Sequence, residues 1–366
     1  MYLRMMLFPY IYTENHATRR TGISLLHPLY YAEGAAGIDL AYAATTSYLF
    51  GSTMLVAPIV QPIAPSSQTV EETTWLPPGE WVSFSGAHAW TSPEDTGLNV
   101  TDQYALDELP IFVRAGGVLP LRTFASLQRT SSFSDPLVWA VFSGPATVKA
   151  GSVAVVEDDG VTSRFESANA TATTAMKWVA TATGFTATVA PTVGSFAVNS
   201  DCGIAEPGYE YAGAGAELQT LADTVVSAAA CCEACATFSN CLFWTWLSSA
   251  GQCSLKVSRR GRRANKFAVS GVAPRRMPTT RAHGFQFRVG TASTTFSAVT
   301  VNGKALAKVA PPSAGTAGTA GWYVQPADTT AHGLAQPPAG TLVILTESIA
   351  LVDAVTVVIT SGHHQL

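Results

Sequence analysis

At 366 residues the chain has room for two or three domains with ample core. Only 13% of its residues are charged, well below the usual quarter or so, while Ala, Thr, Val and Gly abound; this favours β-rich domains with neutral polar faces and argues against disorder. The net charge of −4 offers no general nucleic-acid footprint, and no apolar run approaches the ~18 residues of a membrane span, since even "IALVDAVTVVIT" carries Asp353.

The first stretch, "LRMMLFPYIYTENHATRRTG", places Leu3, Met6, Leu7, Tyr10 and Ile11 at i, i+3, i+4, i+7, i+8. That spacing predicts a helix with one apolar stripe, kinked at Pro9. Such a stripe needs a partner, and none precedes it. A signal peptide is the weaker reading, because Glu14, Asn15 and His16 follow with no small-residue cleavage site. "ISLLHPLYY" then reads as a buried strand, and "IDLAYAATTSYLFG" as a helix stopping at Gly51. Helix, strand, helix is the grammar of an α/β barrel, present here for one turn only.

From Ser52 the grammar changes. "TMLVAPIV", "TWLPPGEWVSFS", "LPIFVRAGGVLPLR" and "PLVWAVFSG" are short apolar or alternating runs split by Pro and Gly, as in a β-sandwich. Strand-like text continues through "TTAMKWVATATGFTATVA" and resumes with "GFQFRVG", "FSAVTVNGKAL" and "GTLVILTESIALVDAVTVVIT". Between them lies a cysteine-rich segment, about 201–273. "PPSAGTAGTAG" is of low complexity and is expected to be a loop.

"RMMLFPYIYT", "TGISLLHPLYY", "SYLFGSTMLVAPIV", "WLPPGEWVSF" and "ELPIFVRAGGVLPL" together resemble the late part of glycoside hydrolase family 31, the α-glucosidase family. "VVEDDGVTSRFE" and "FSAVTVNGKAL" are similar to its distal β-domain. His27 departs from the pattern, which has arginine before Pro28-Leu29. The resemblance implies a mainly β chain in four parts. These are a (β/α)8 barrel remnant at 1–51, a proximal β-sandwich at 52–122, a distal β-domain at 123–200 plus 274–366, and an insertion at 201–273. It further implies a retaining α-glycosidase acting on a carbohydrate substrate, whose two reactive aspartates lie upstream of the matched part. No stretch here resembles either aspartate motif, so no catalytic residue is assigned, and Met1 is expected to lie within a longer protein.

Retaining chemistry needs two facing carboxyls about 5–5.5 Å apart. Asp158-Asp159 before Gly160 reads instead as a turn between strands, and Asp107-Glu108 as a strand-entry turn. The seven histidines show no metal-ligand spacing, so no metal or other cofactor is expected. His27 on an apolar strand reads first as a core histidine, and second as a substrate contact at the barrel mouth.

All six cysteines, Cys202, Cys231, Cys232, Cys235, Cys241 and Cys253, fall within one segment. An even, tight cluster suggests a disulfide-stapled module in an oxidising, secretory or lysosome-like compartment. The sequons at Asn99 and Asn169 are consistent with that and are candidate glycosylation sites. A redox Cys232–Cys235 pair lacks a βαβ context, and a zinc knot lacks its second ligand pair. Asp223 or Ser227 is expected to cap a helix carrying three of the cysteines. The pattern resembles a PAN/apple domain, a class that binds protein or carbohydrate ligands. Six cysteines leave many pairings open; the expectation alongside the resemblance is Cys231–Cys253, Cys235–Cys241 and Cys202–Cys232. The basic run "KVSRRGRRANK" reads as a solvated loop, ahead of a polyanion patch or a processing site. Two functions compete: the C-terminal part of a glycosidase, inactive by itself, or a non-enzymatic binding protein acting through the PAN/apple-like domain.

Overall fold

The computed structural model describes residues 2–31, 38–123, 136–145, 147–160, 163–167, 169–196, 205–213, 215, 217–222, 225–238, 241–272, 280–288, 295–311, 320–325 and 341–362. The chain is mainly β and separates into two compact units. One comprises Met1–Glu157, Thr173–Val193 and Thr279–Leu366; the other Asp158–Ala172 and Gly194–Pro278.

The opening stripe does form helix. Tyr2–Met6 is followed by Phe8–Thr21, and the break falls at Leu7, so that Pro9 occupies the first turn of the second helix, where its missing N–H breaks no bond. Gly22, at φ 77°, ends that helix by donating its N–H to the Thr18 carbonyl. Leu7 and Tyr10 are buried among Met54, Val56, Val82, Ile111, Leu121 and Phe142, with Leu3 and Ile11 at the margin. The stripe therefore finds its partner in strands that follow it in the same chain.

Two further expectations are corrected. "ISLLHPLYY" is no buried strand: only Leu26–Pro28 is extended, at a sheet edge, with Leu26 55% exposed, before a 3-10 turn over Leu29–Tyr31. Pro28 has no N–H to give a further neighbour, which suits an edge and ends the strand. The second helix is confined to Ile38–Ala43, and Tyr48–Phe50 is a strand. Gly51, at φ 64°, is therefore the bend of a hairpin into Met54–Val56, not a helix stop. A Cβ on it would lie 2.3 Å from the Tyr10 hydroxyl, which itself donates to the Phe50 carbonyl at 2.7 Å.

Residues 1–51, expected as a barrel remnant, thus contribute two strands to the sheet that follows. Its order is Leu26–Pro28, Tyr48–Phe50, Met54–Val56, Ile111–Arg114, Gly79–Ser83, Ala89–Ser92, antiparallel throughout. A ribbon of Thr69–Leu76 with Leu98–Ala105 supplies Trp75, Leu76 and Val100 to a core shared with Leu49, Leu55, Trp81 and Phe112 from this sheet.

The run "PLVWAVFSG" explains the next layer. Strand Leu137–Phe142 is buried at every position. Its odd residues Leu137, Trp139 and Val141 join Trp178, Phe185, Phe285 and Val357, while Val138, Ala140 and Phe142 join the Leu7–Tyr10 cluster. A side-chain period of two thus serves two cores from one strand. Leu137–Phe142 pairs in parallel with His283–Arg288 and antiparallel with Val118–Arg122.

The second unit is a five-stranded sheet, ordered Glu206–Tyr211, Arg262–Val272, Phe243–Leu247, Gln252–Lys256, Glu217–Ala222. Helix Ala228–Thr237 packs on it, with Cys231, Cys232, Cys235, Trp244, Trp246 and Leu255 in the shared core. Ser227 is the N-cap: its hydroxyl accepts from the Ala230 N–H at 3.1 Å. Asp223 lies outside the described residues.

Candidate functional site

The carboxylates singled out by sequence are held in structural roles. Asp158 accepts the Gly160 N–H at 2.7 Å, with Gly160 at φ 63°, as a turn requires. Glu108 accepts the Ala105 N–H at 2.8 Å and returns its own N–H to the Ala105 carbonyl, closing the turn at Asp107. Glu157 is fully buried and takes the Arg281 guanidinium at 2.5 Å, an ion pair that sequence spacing could not signal because its halves are 124 positions apart. Arg288, also buried, donates to the Phe84 carbonyl and to Gln286, and burial pushes its pKa down to about 9. Among the described residues no group of three or more His, Cys, Asp or Glu could hold a metal ion.

His27 is not a core histidine. It is half-buried, with Nδ1 2.9 Å from the Ser24 carbonyl and its ring edge-on to Tyr31 at 5.5 Å. Because a carbonyl only accepts, Nδ1 is the donor in that contact. The imidazole lines a hollow of about 490 Å³ with Glu14, Tyr31, Ser52 and Arg114. Those four positions have no sequence pattern in common; only the hairpin at Gly51 and the helix Phe8–Thr21 bring them together.

In the second unit Cys231 is bonded to Cys253 and Cys235 to Cys241. The first bond ties the helix to the strand Gln252–Lys256, and the second ties the helix end to the entry of Phe243–Leu247. No described cysteine is free. Cys202 lies outside the described residues, and with it the expected Cys202–Cys232 pair.

The basic run is in part the solvated loop expected of it, since 257–261 is a largely exposed connection between Gln252–Lys256 and Arg262–Val272. Arg262–Val272 is a strand, and its cations have acids on the neighbouring strand. Arg259 and Arg262 both bind Glu206, at 2.6 and 2.8 Å, and Arg263, opposite Glu210 in register, is ion-paired with it. The hydrogen bond from Arg262 holds the Glu206 carboxyl below its usual range. Arg262 also stacks on Tyr209 at 3.6 Å, and Lys256 is buried 4.0 Å from Glu217. Cross-strand pairing, which the charge count cannot reveal, accounts for the cluster. The sequon residues Asn99 and Asn169 are both exposed, Asn99 on the strand Leu98–Ala105 and Asn169 at φ 48°.

Comparison with known proteins bears on the first unit. Residues 22–119 match the family described as glycosyl hydrolase family 31 C-terminal domain. An isomaltosyltransferase of Sporosarcina globispora is 30% identical over 137 residues, 37% of this chain and 11% of that protein. An α-xylosidase of Saccharolobus solfataricus is 30% identical over 166 residues, 45% of this chain and 20% of that protein. The matched stretches thus span one-fifth or less of these relatives. In structure, a family 31 dextranase of Flavobacterium johnsoniae aligns with 98% of this chain and 32% of its own, at TM-score 0.56 and 15% identity, a likeness of fold alone. Over residues 22–119, therefore, the chain is similar to the C-terminal domain of glycosyl hydrolase family 31.

Proposed function

We propose that the chain is the C-terminal, β-rich portion of a retaining α-glycosidase of family 31 and contains neither of the two reactive carboxylates. The observation that carries this reading is the fate of its acids. Glu157, Asp158, Glu108, Glu206 and Glu210 each serve a turn or an ion pair, whereas retaining chemistry uses two carboxyls that face each other across a substrate. In this reading the first unit braces a catalytic barrel that acts on a carbohydrate. The second unit is a PAN/apple-like module with a glycan or protein ligand. The disulfides Cys231–Cys253 and Cys235–Cys241, together with the exposed sequons Asn99 and Asn169, support residence in an oxidising secretory or lysosome-like lumen.

A non-enzymatic binding protein acting through the second unit is the competing reading, favoured by that unit's separate core and staples. An assay of the purified chain against aryl α-glucosides and α-xylosides addresses the enzyme question. No turnover above a heat-killed control is expected, and turnover that survives repurification would refute the proposal.

A further inference from the structure

The basic run from Arg259 to Lys266 contributes no side chain to the apolar clusters of either unit. Within it, Arg260-Gly261-Arg262-Arg263 is the one place in the sequence where Arg, any residue, Arg and Arg follow in succession. The strand that begins there is only half covered. Its later part, Ala268–Val272, lies against Phe243–Leu247, but Arg262–Ala264 pairs with Tyr209–Tyr211 alone. Among the described residues, the other edge of Arg262–Ala264 carries no strand. Every residue from Arg259 to Ala264 is exposed. The run is thus the tip of a two-stranded ribbon, extended and open along one edge.

Two chemistries compete for such a segment. As a surface for a polyanion it is thin. Glu206 takes Arg259 and Arg262, and Glu210 takes Arg263, so Arg260 and Lys266 are the cations of the run with no ion pair among the described residues. As the substrate of an endoprotease it is well formed. Such enzymes take the substrate backbone as an added strand, and an open strand edge offers one with little unfolding. Successive arginines on a strand reach separate acid-lined pockets, each matched to a planar guanidinium. Here Arg262 and Arg263 stand on opposite faces of the ribbon, with side chains 45% and 69% exposed. The open edge favours the protease.

We propose that the Arg263–Ala264 bond is a processing site for a secretory-pathway endoprotease of the calcium-dependent subtilisin class that cuts after Arg-x-Arg-Arg. Water adds across the bond, leaving a carboxylate on Arg263 and an ammonium on Ala264. Cys253 is the last cysteine of the chain, so no disulfide joins Ala264–Leu366 to the rest. Strand pairing holds the two pieces together instead: His283–Arg288 lies against Leu137–Phe142, and Val355–Gly362 against Gly184–Val189. Glu206 and Glu210 act as a latch, because their ion pairs must open before the arginines can enter the protease. The encounter with such a protease rests on the oxidising-lumen reading above; the susceptibility of the bond does not.

The test incubates the purified full chain, disulfides intact, with a recombinant convertase of this class, beside a fluorogenic Arg-x-Arg-Arg peptide that reports the enzyme's activity. One cut is expected, with Ala264 as the new amino terminus. A denaturing gel without reductant should then show two bands, and size exclusion an unchanged elution volume. Arg19-Arg20, in the last turn of the helix Phe8–Thr21, should stay uncut. Arg260→Ala and Arg263→Ala should each slow the cut roughly tenfold or more. Glu206→Gln combined with Glu210→Gln should speed it about threefold or more. Arg260 and Arg263 are exposed, so their variants keep the fold, which thermal melting verifies. The proposal is overturned if the native chain resists while the peptide is consumed, if the first cut falls elsewhere, if Arg263→Ala is cut as fast as the wild type, or if the pieces part on size exclusion. Resistance joined to salt-sensitive capture on a sulfated resin would assign the run to polyanion binding instead. Either failure leaves the compartment reading standing, because that reading rests on the disulfides.

Discussion

The indole N–H of Trp139 donates to Nδ1 of His283 at 3.2 Å, inside the core of the first unit. Indole nitrogen can only donate, so Nδ1 is unprotonated and His283 is held neutral. Burial, aided by the charge of Arg281, lowers its pKa from 6.5 to about 3. The unfolded chain therefore binds the proton first. Stability from this group is complete above pH 6.5 and is lost as pH falls from 6.5 toward 3, at up to about 1.4 kcal/mol per pH unit. Denaturant melts across that window should show the decline in the wild type and a flatter profile in His283→Gln. Equal slopes in the two proteins would assign the acid sensitivity elsewhere.

The Glu157–Arg281 pair lies between strand Ala150–Glu157 and the segment Thr280–Arg281, with neither side chain exposed to water. Removing one partner strands a buried charge. Arg281→Met or Glu157→Leu should cost about 3–5 kcal/mol, and the two combined should cost less than the sum. Urea titration of the three variants measures this. Additive losses would mean that the two groups are not coupled.

In the second unit, the Cys231–Cys253 bond joins helix to sheet across 22 positions of chain. Its loss through the double change Cys231→Ala, Cys253→Ala should cost about 2–4 kcal/mol. Hydrogen exchange should then rise over the helix Ala228–Thr237 and the strand Gln252–Lys256, while the Leu137–Phe142 strand keeps its protection. Uniform loss of protection in both would refute separate cores.

Much of this architecture is legible in the sequence, and the gaps have physical causes. The stripe from Leu3 to Ile11 declares itself by period, the run at Leu137–Phe142 by its unbroken apolar text, and Ser227 by capping chemistry. Residues 23–51 mislead because short apolar text fits helix and strand alike. The helix at Ile38 stops after six residues, and Tyr48–Phe50 is extended by pairing with Met54–Val56. The basic run is half-legible: its charge is plain, but its neutralisation by Glu206 and Glu210 depends on a strand more than fifty positions away. The hollow at His27 leaves no signal at all, since Glu14, Ser52 and Arg114 converge only through tertiary contact.

Gly51 should tolerate no side chain. Its φ is positive, and a Cβ there would come within 2.3 Å of the Tyr10 hydroxyl. Gly51→Ala should therefore destabilise the first unit by about 2–4 kcal/mol, the cost of backbone strain plus a displaced buried hydroxyl. Tyr10→Phe should lose less, roughly the 1–3 kcal/mol of the orphaned Thr53 N–H and Phe50 carbonyl. Thermal melts of both variants decide it; a neutral Gly51→Ala would contradict the tight hairpin.

That this chain holds no reactive carboxylate pair, as proposed above, is open to direct chemical test. A 5-fluoroglycosyl fluoride forms a stable ester with the nucleophile of a retaining glycosidase, because the covalent intermediate it creates is slow to hydrolyse. Intact-mass spectrometry of the purified chain, incubated with glucosyl and xylosyl forms of the reagent, should return the unmodified mass. A single stoichiometric glycosyl adduct, mapped to one Asp or Glu and abolished by prior unfolding, would contradict the account.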